Sequence, residues 1–122
     1  MFTLKKSRTF TWPVSVYEPD AGKHVRAQFT AIFRVMDRDD LQTRMREISD
    51  PELPATEQAR RMGDFLSAVV VQVEGVQVAD ESGGTVSMTN RDICEALIAD
   101  TFAGPALFDA YVEGIAGRNR KN

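Results

Sequence analysis

From Arg8 to Val35 an apolar side chain returns at every second position on both sides of one proline- and glycine-bearing turn, and no other stretch restricts the fold so strongly. Phe10, Trp12, Val14 and Val16 fall on one side of the first half, with Thr9, Thr11, Pro13 and Ser15 on the other. A period of two marks a strand with one buried face. In the second half Val25, Ala27, Phe29, Ala31, Phe33 and Val35 repeat the pattern against His24, Arg26, Gln28, Thr30 and Arg34, with Ile32 an apolar intruder on the polar side. Between them, Glu18-Pro19-Asp20-Ala21-Gly22-Lys23 joins a residue of fixed φ, one that bonds its own backbone and one that accepts positive φ, so it reads as a hairpin turn. Pro13 has no N–H to give a ladder, which pushes the first strand to a sheet edge or makes its first half irregular. Two strands alone are marginal in water, so the face bearing Trp12, Phe29 and Phe33 must be covered, and Trp12 is expected to be largely buried there.

The cover has to come from the rest of the 122 residues. Asp37 or Asp39 can cap a helix with Leu41, Met45 and Ile48 on one face, stopped by Pro51 and Pro54. Thr56 is the expected cap of the next helix, whose stripe runs through Ala59, Met62, Leu66, Val69, Val70 and Val73 and stops at Gly75. The β-branched run from Ala68 to Val73 also suits a strand, but the helical spacing upstream favours helix to about Val73. Segments 76–78 and 85–87 flank an acidic, glycine-rich stretch as a short second hairpin or an ordered loop. Thr89 with Asp92 forms a variant capping box for a short helix ending near Asp100. Gly104-Pro105 then opens a last helix bearing Leu107, Phe108, Tyr111, Val112 and Ile115, with Gly117 as its C-terminal cap. The sum is one α+β domain over 1–122, an N-terminal β-hairpin (8–35) packed on about four helices (37–117).

Catalysis finds few candidates. The only cysteine, Cys94, offers neither an internal disulfide nor a structural zinc site, and it reads as inert packing. The only histidine, His24, sits on the polar face of the hairpin and reads as solvated. Asp37, Asp39 and Asp40 lack the ligand register of a calcium loop and suit the start of a helix. Asp80-Glu81-Ser82-Gly83-Gly84 lacks the Lys-Ser/Thr that a P-loop requires. The expectation is a non-enzyme with no catalytic residue, no metal and no cofactor.

The longest apolar run, Leu66 to Val71, is interrupted by Ser67 and falls far short of the roughly 20 residues a membrane span requires. Lys5, Lys6 and Arg8 lead into Thr9, Thr11 and Pro13 rather than into the apolar stretch of a secretory signal, so a cytoplasmic protein with no membrane partner is expected. The net charge of −3 is unevenly laid out. Residues 1–35 carry six Lys/Arg against two Asp/Glu, residues 36–117 carry six against sixteen, and Arg118, Arg120 and Lys121 make a basic tail over 118–122. Such segregation can favour head-to-tail self-association, although ordinary solvated surface accounts for any single charge. The hairpin aromatics alternate away from Arg26 and Arg34, where they cannot act as stacking platforms, and a pI near 5.1 also argues against nucleic acid. Protein partners remain.

Thr9-Phe10-Thr11-Trp12-Pro13-Val14, the turn, the phenylalanine-bearing return strand, and the ending from Ala110-Tyr111 through Gly114-Ile115-Ala116-Gly117 to Lys121-Asn122 together resemble the tail assembly chaperones of long-tailed bacteriophages. The resemblance runs in order over nearly the whole chain and rests chiefly on its two ends. It departs in the middle, where Val73 precedes Glu74-Gly75 and the family commonly carries an aromatic. It implies a protein made in the infected or lysogenic bacterium, active in the host cytoplasm during assembly and absent from the mature virion. The implied partners are the helical tape measure protein, which it keeps soluble, and the tail tube protein, whose subunits it helps recruit. The ending Lys121-Asn122 looks like the short, non-frameshifted form of such chaperones.

A protein that holds an apolar client needs apolar surface of its own. Phe65, Val71, Phe102 and Leu107 fall off, or at the margins of, the core stripes and are the candidate partner-binding residues, with burial on a second packed face as the competing account. The functional alternative is a small structural tail component, a completion or connector subunit whose hairpin interlocks with neighbours in a ring.

Overall fold

The computed structural model of the chain describes residues 1–117, so the basic tail over 118–122 lies outside the described residues. Strands β1 (Thr9–Asp20) and β2 (Lys23–Arg34) form the expected antiparallel hairpin, in register from Thr9 opposite Arg34 to Asp20 opposite Lys23. The turn is tighter than its sequence suggests. Pairing continues through Pro19 and Asp20, and only Ala21 and Gly22 reverse the chain, at φ of 52° and 82°. A two-residue turn with both φ positive matches the strand twist, and Ala21 bears the steric cost of that conformation.

The Val35 amide donates to the Arg8 carbonyl at 2.8 Å, which sets the parity of the ladder. Even-numbered residues of β1 bond to β2, and odd-numbered ones turn their N–H and C=O groups outward. Pro13 and Pro19 are both odd, so each sits where β2 asks for no donor. β1 is indeed an edge of the three-stranded sheet β1-β2-β3.

Helix α1 (Arg38–Ile48) follows, with Asp37 at its N-cap position. The Asp37 side chain makes no capping bond, and Asp39 and Asp40 place negative charge in the first turn. Helix α2 (Ala55–Val69) begins one residue after Pro54, so Thr56 lies inside the first turn and is not its cap. Nor does α2 continue to Val73. It ends at Val69, and β3 (Val70–Glu74) pairs antiparallel with β2. The exposed edge of β2 offered those β-branched residues a ladder, and tertiary pairing prevailed over the helical spacing upstream. Phe33 faces Val70 while Ile32 faces Gln72, which leaves Val71 as the extra residue of a bulge.

The second sheet is the short hairpin of β4 (Val78–Ala79) and β5 (Thr85–Val86). Its turn is organised by Asp80, whose Oδ1 accepts from the Ser82 and Gly84 amides and the Ser82 hydroxyl. Those bonds hold the Asp80 carboxyl below its ordinary pKa. In α3 (Asn90–Ala99) the expected cap is present, the Asp92 amide donating to Thr89 Oγ1. Before α4 (Ala103–Ala116) the Asp100 carboxylate accepts from the Phe102 and Ala103 amides, and Gly117 closes the helix at φ 65°.

The core lies between the even face of β1, the matching face of β2 and the helices, and is built from Val14, Phe33, Phe65, Leu66, Val69, Leu107 and Tyr111 among others. Tyr111 is its hub. Its ring meets those of Phe10, Phe33 and Phe65 at 5.2 to 5.6 Å between centroids, and its hydroxyl donates to the Arg34 carbonyl while accepting from the Met36 amide. Phe10 fits against α4 because residue 114 is glycine; a Cβ there would stand 2.4 Å from the Phe10 ring. Trp12, expected to be largely buried, is half-buried at the rim, where an edge strand can be covered from one side only, and its indole N–H donates to Glu113 at 3.4 Å. Beyond Val16 and Ala27 the hairpin leaves the core, and residues 17–28 are exposed throughout. With four residue pairs past that point, the arm extends about 13 Å from the body.

Asn90 closes the far side of the sheet. Its side-chain amide donates to the Val73 carbonyl at 2.7 Å and its Oδ1 accepts the Val73 amide at 3.0 Å, occupying the place of a neighbouring strand. Two substitutions test this packing by chemical denaturation. Gly114→Ala, which on an open helix surface gains about 1 kcal/mol, is expected to lose about 1 to 3 kcal/mol through overpacking against Phe10. Asn90→Ala strands two backbone groups of β3 and is expected to cost about 1 to 3 kcal/mol.

Candidate protein-binding surfaces

The four residues singled out from the sequence divide evenly. Phe65 and Leu107 are fully buried, so they are core and cannot meet a partner in the folded chain. Phe65 packs edge-on against Phe108 and Tyr111, because α2 buries residues on both sides of its expected stripe against β2 and α4. Val71 and Phe102 are exposed, at 42% and 40%. They line different grooves, Val71 beside α3 and Phe102 beside the β1 edge, and do not form one patch. His24 is exposed on the arm opposite Pro19. Cys94 is buried with its thiol pushed up by burial, and its Sγ lies 3.5 Å from Asn90 Oδ1. Among the described residues no three His, Cys, Asp or Glu side chains converge on a common point, and no helix is long and apolar enough to cross a membrane.

Three arginines of α1 and α2, Arg44, Arg60 and Arg61, line a common cleft, but two of them are already partnered. Arg60 is bonded to Glu57 and Asp64, and Arg61 to Glu57 and to the Glu47 carbonyl. The arginine hydrogen bonds hold the Glu57 carboxyl down to about 2, so it stays ionised and answers them. Arg60 and Asp64 form an exposed pair, Glu57 and Arg61 are half-buried, and such surface pairs are ordinary solvated-face chemistry.

Besides the groove at Val71, three surfaces among the described residues could receive a protein. A groove of about 400 Å³ separates the base of the arm, at Val16, Ala27 and Phe29, from Ile93 and Leu97 of α3. A second, smaller one of about 130 Å³ lies between α1 and α4 and is lined by Leu41, Met45, Tyr111, Val112, Ile115 and Ala116, with no charged side chain among them. Val112 and Ile115 are exposed large apolar residues there. Sequence reasoning assigned both to the core because they continue the stripe of Leu107, Phe108 and Tyr111, but α1, on the other side of the groove, does not cover them.

The third, of about 430 Å³, runs along the outer edge of β1. Pro13, Ser15 and Tyr17 form one wall, and a stripe of α4 and its approach, Phe102, Ala106, Asp109 and Glu113, forms the other. Among the described residues no Lys or Arg lines it. Partial burial, together with the charge of Glu113 one turn away, raises the Asp109 pKa above its ordinary value.

The chain matches no protein-family model, no curated protein and no solved structure.

Asp109 therefore binds its proton more tightly in the native state than in the unfolded chain, and its ionised form costs native stability. That cost is absent below the ordinary aspartate pKa and grows as pH rises through the folded one. Asp109→Asn is expected to raise the melting temperature at pH 7, by the equivalent of about 0.5 kcal/mol for a like-charge i, i+4 pair. The gain should fade in melts at progressively lower pH, vanishing below about pH 3.5 to 4.

Proposed function

We propose that this chain is a tail assembly chaperone of a long-tailed bacteriophage. It binds the tape measure protein, keeps that client soluble and helps recruit tail tube subunits around it, without catalysis. It works in the cytoplasm of the bacterial host and stays out of the mature virion. The observation that carries the reading is the groove between α1 and α4, whose described lining holds no charge and which presents Val112 and Ile115 to solvent. A long amphipathic client helix can lay its apolar side chains into such a groove at i, i+3 and i+4 spacing. The client's identity comes from the sequence resemblance of the Trp-Pro-Val strand and the last helix.

One feature favours the alternative, a small structural tail component. Residues 17–28 form an exposed two-stranded arm of the kind that interlocks subunits in a ring. Purified virions separate the two readings: a chaperone is missing from them and a structural subunit is present.

Co-expression with a tape measure fragment tests the binding claim. The wild-type chain is expected to retain the fragment in the soluble fraction and in a pull-down. Ile115→Asp is expected to release it, because a carboxylate desolvated without a partner costs several kcal/mol. Val71→Asp, in a different groove, is expected to retain it. Circular dichroism confirms that each variant is folded. Release by Val71→Asp alone would move the site to the β3 bulge, and failure of the wild type to hold the fragment would sink the chaperone reading.

A further inference from the structure

Among the described residues, the groove along the β1 edge has the form of an unfilled strand position. The odd-numbered residues of β1 turn their ladder groups into it, and α4 overhangs it with a stripe that is apolar at Phe102 and Ala106 and acidic at Asp109 and Glu113. An occupant needs apolar side chains on alternate positions followed by a cation on the same face. Residues 1–7 of this chain carry that pattern outside any helix or strand, with Phe2 and Leu4 exposed at 76% and 75% and Lys6 following on the same side of an extended chain.

We propose that the N-terminal segment of a second copy of this chain docks as an added antiparallel strand on the outer edge of β1, with Lys6 against Asp109 and Glu113. The dimensions agree. Phe2 to Lys6 spans about 14 Å in a strand, and the helix rise from Phe102 to Asp109 and Glu113 is about 10 and 16 Å. Leu4 then falls beside Ala106.

The register agrees as well. Core-facing residues of β1 are even-numbered, so Phe2, Leu4 and Lys6 stand opposite Val16, Val14 and Trp12, and Trp12 is the residue whose indole already reaches Glu113. Thr3 opposite Ser15 exchanges both ladder bonds. Lys5 opposite Pro13 makes one, donating to the carbonyl, and its side chain leaves on the other face of the sheet.

A chain cannot fill its own groove in this way. Arg8 is already laddered to Val35, so residues 1–7 folding back would set Lys6 beside the start of β1, away from Asp109. Charge supports a second copy, since the segment brings Lys6 to a wall that holds two carboxylates and, among the described residues, no cation. The inference does not depend on the tape measure protein being the client.

The test is sedimentation equilibrium of the full chain across ionic strengths, with circular dichroism on each variant. The wild type is expected to self-associate, more weakly as salt rises. Lys6→Glu and Leu4→Asp should each weaken association by about tenfold or more. Lys5→Glu should weaken it several-fold less. Asp109→Lys should weaken it alone and restore it to near wild type when combined with Lys6→Glu. Residues 2–6 lie outside the core, so the first three variants separate docking from folding. A wild-type chain that stays monomeric at about 100 μM, well above the micromolar range of a specific contact, would overturn the proposal. So would association that ignores Lys6→Glu and Leu4→Asp, or a Lys6→Glu/Asp109→Lys pair that shows no rescue.

Discussion

The phenol of Tyr111 joins the two ends of the chain, and the remaining architecture depends on it. Its ring fills the space between Phe10 of β1, Phe33 of β2 and Phe65 of α2, while its hydroxyl serves the Arg34 carbonyl and the Met36 amide where β2 gives way to α1. A hydroxyl in that position removes two polar groups from the list of unsatisfied ones, and the aromatic contacts add geometry to burial. With α4 fixed in this way, its outer stripe is set against the β1 edge and its last turns against α1. Both grooves on either side of α4 are consequences of where Tyr111 is anchored.

Elements defined by local chemistry were legible in the sequence. The alternation of the hairpin, the Thr89 cap and the left-handed Gly117 each involve residues only a few positions apart, and each is found where expected. Elements decided by distant partners were not. Val70–Glu74 carries both strand chemistry and a helical stripe, and the free edge of β2 decided between them. Asn90 gave no signal at all, because an asparagine at the start of a helix has an ordinary local explanation; its pairing with Val73 exists only once β3 is a strand.

The candidate surfaces show the same division. Phe65 fell off its expected stripe and Leu107 stood at the margin of its own because a single stripe was allotted to each helix, whereas α2 and α4 are each packed on more than one side. Val71 and Phe102 are open for reasons no periodicity contains, a bulge in one case and a turn held by Asp100 in the other. The β1 groove was the least legible feature. It needs the parity of the ladder, the overhang of α4 and an exposed segment at the beginning of the chain, and these become one observation only in three dimensions.

Pro13 and Pro19 carry a meaning for synthesis. The hairpin is complete when residue 35 has emerged, yet Tyr111 and α4, which cover its apolar face, are about 75 residues behind. At about 5 to 20 residues per second, the nascent hairpin waits roughly 4 to 15 s with Phe10, Phe29 and Phe33 uncovered. During that interval its outer edge is the surface most able to recruit a neighbouring nascent strand. Two of the positions that face outward along that edge lack an N–H, so a mismatched strand finds an interrupted ladder on the polysome, and productive collapse can await the arrival of the last helix.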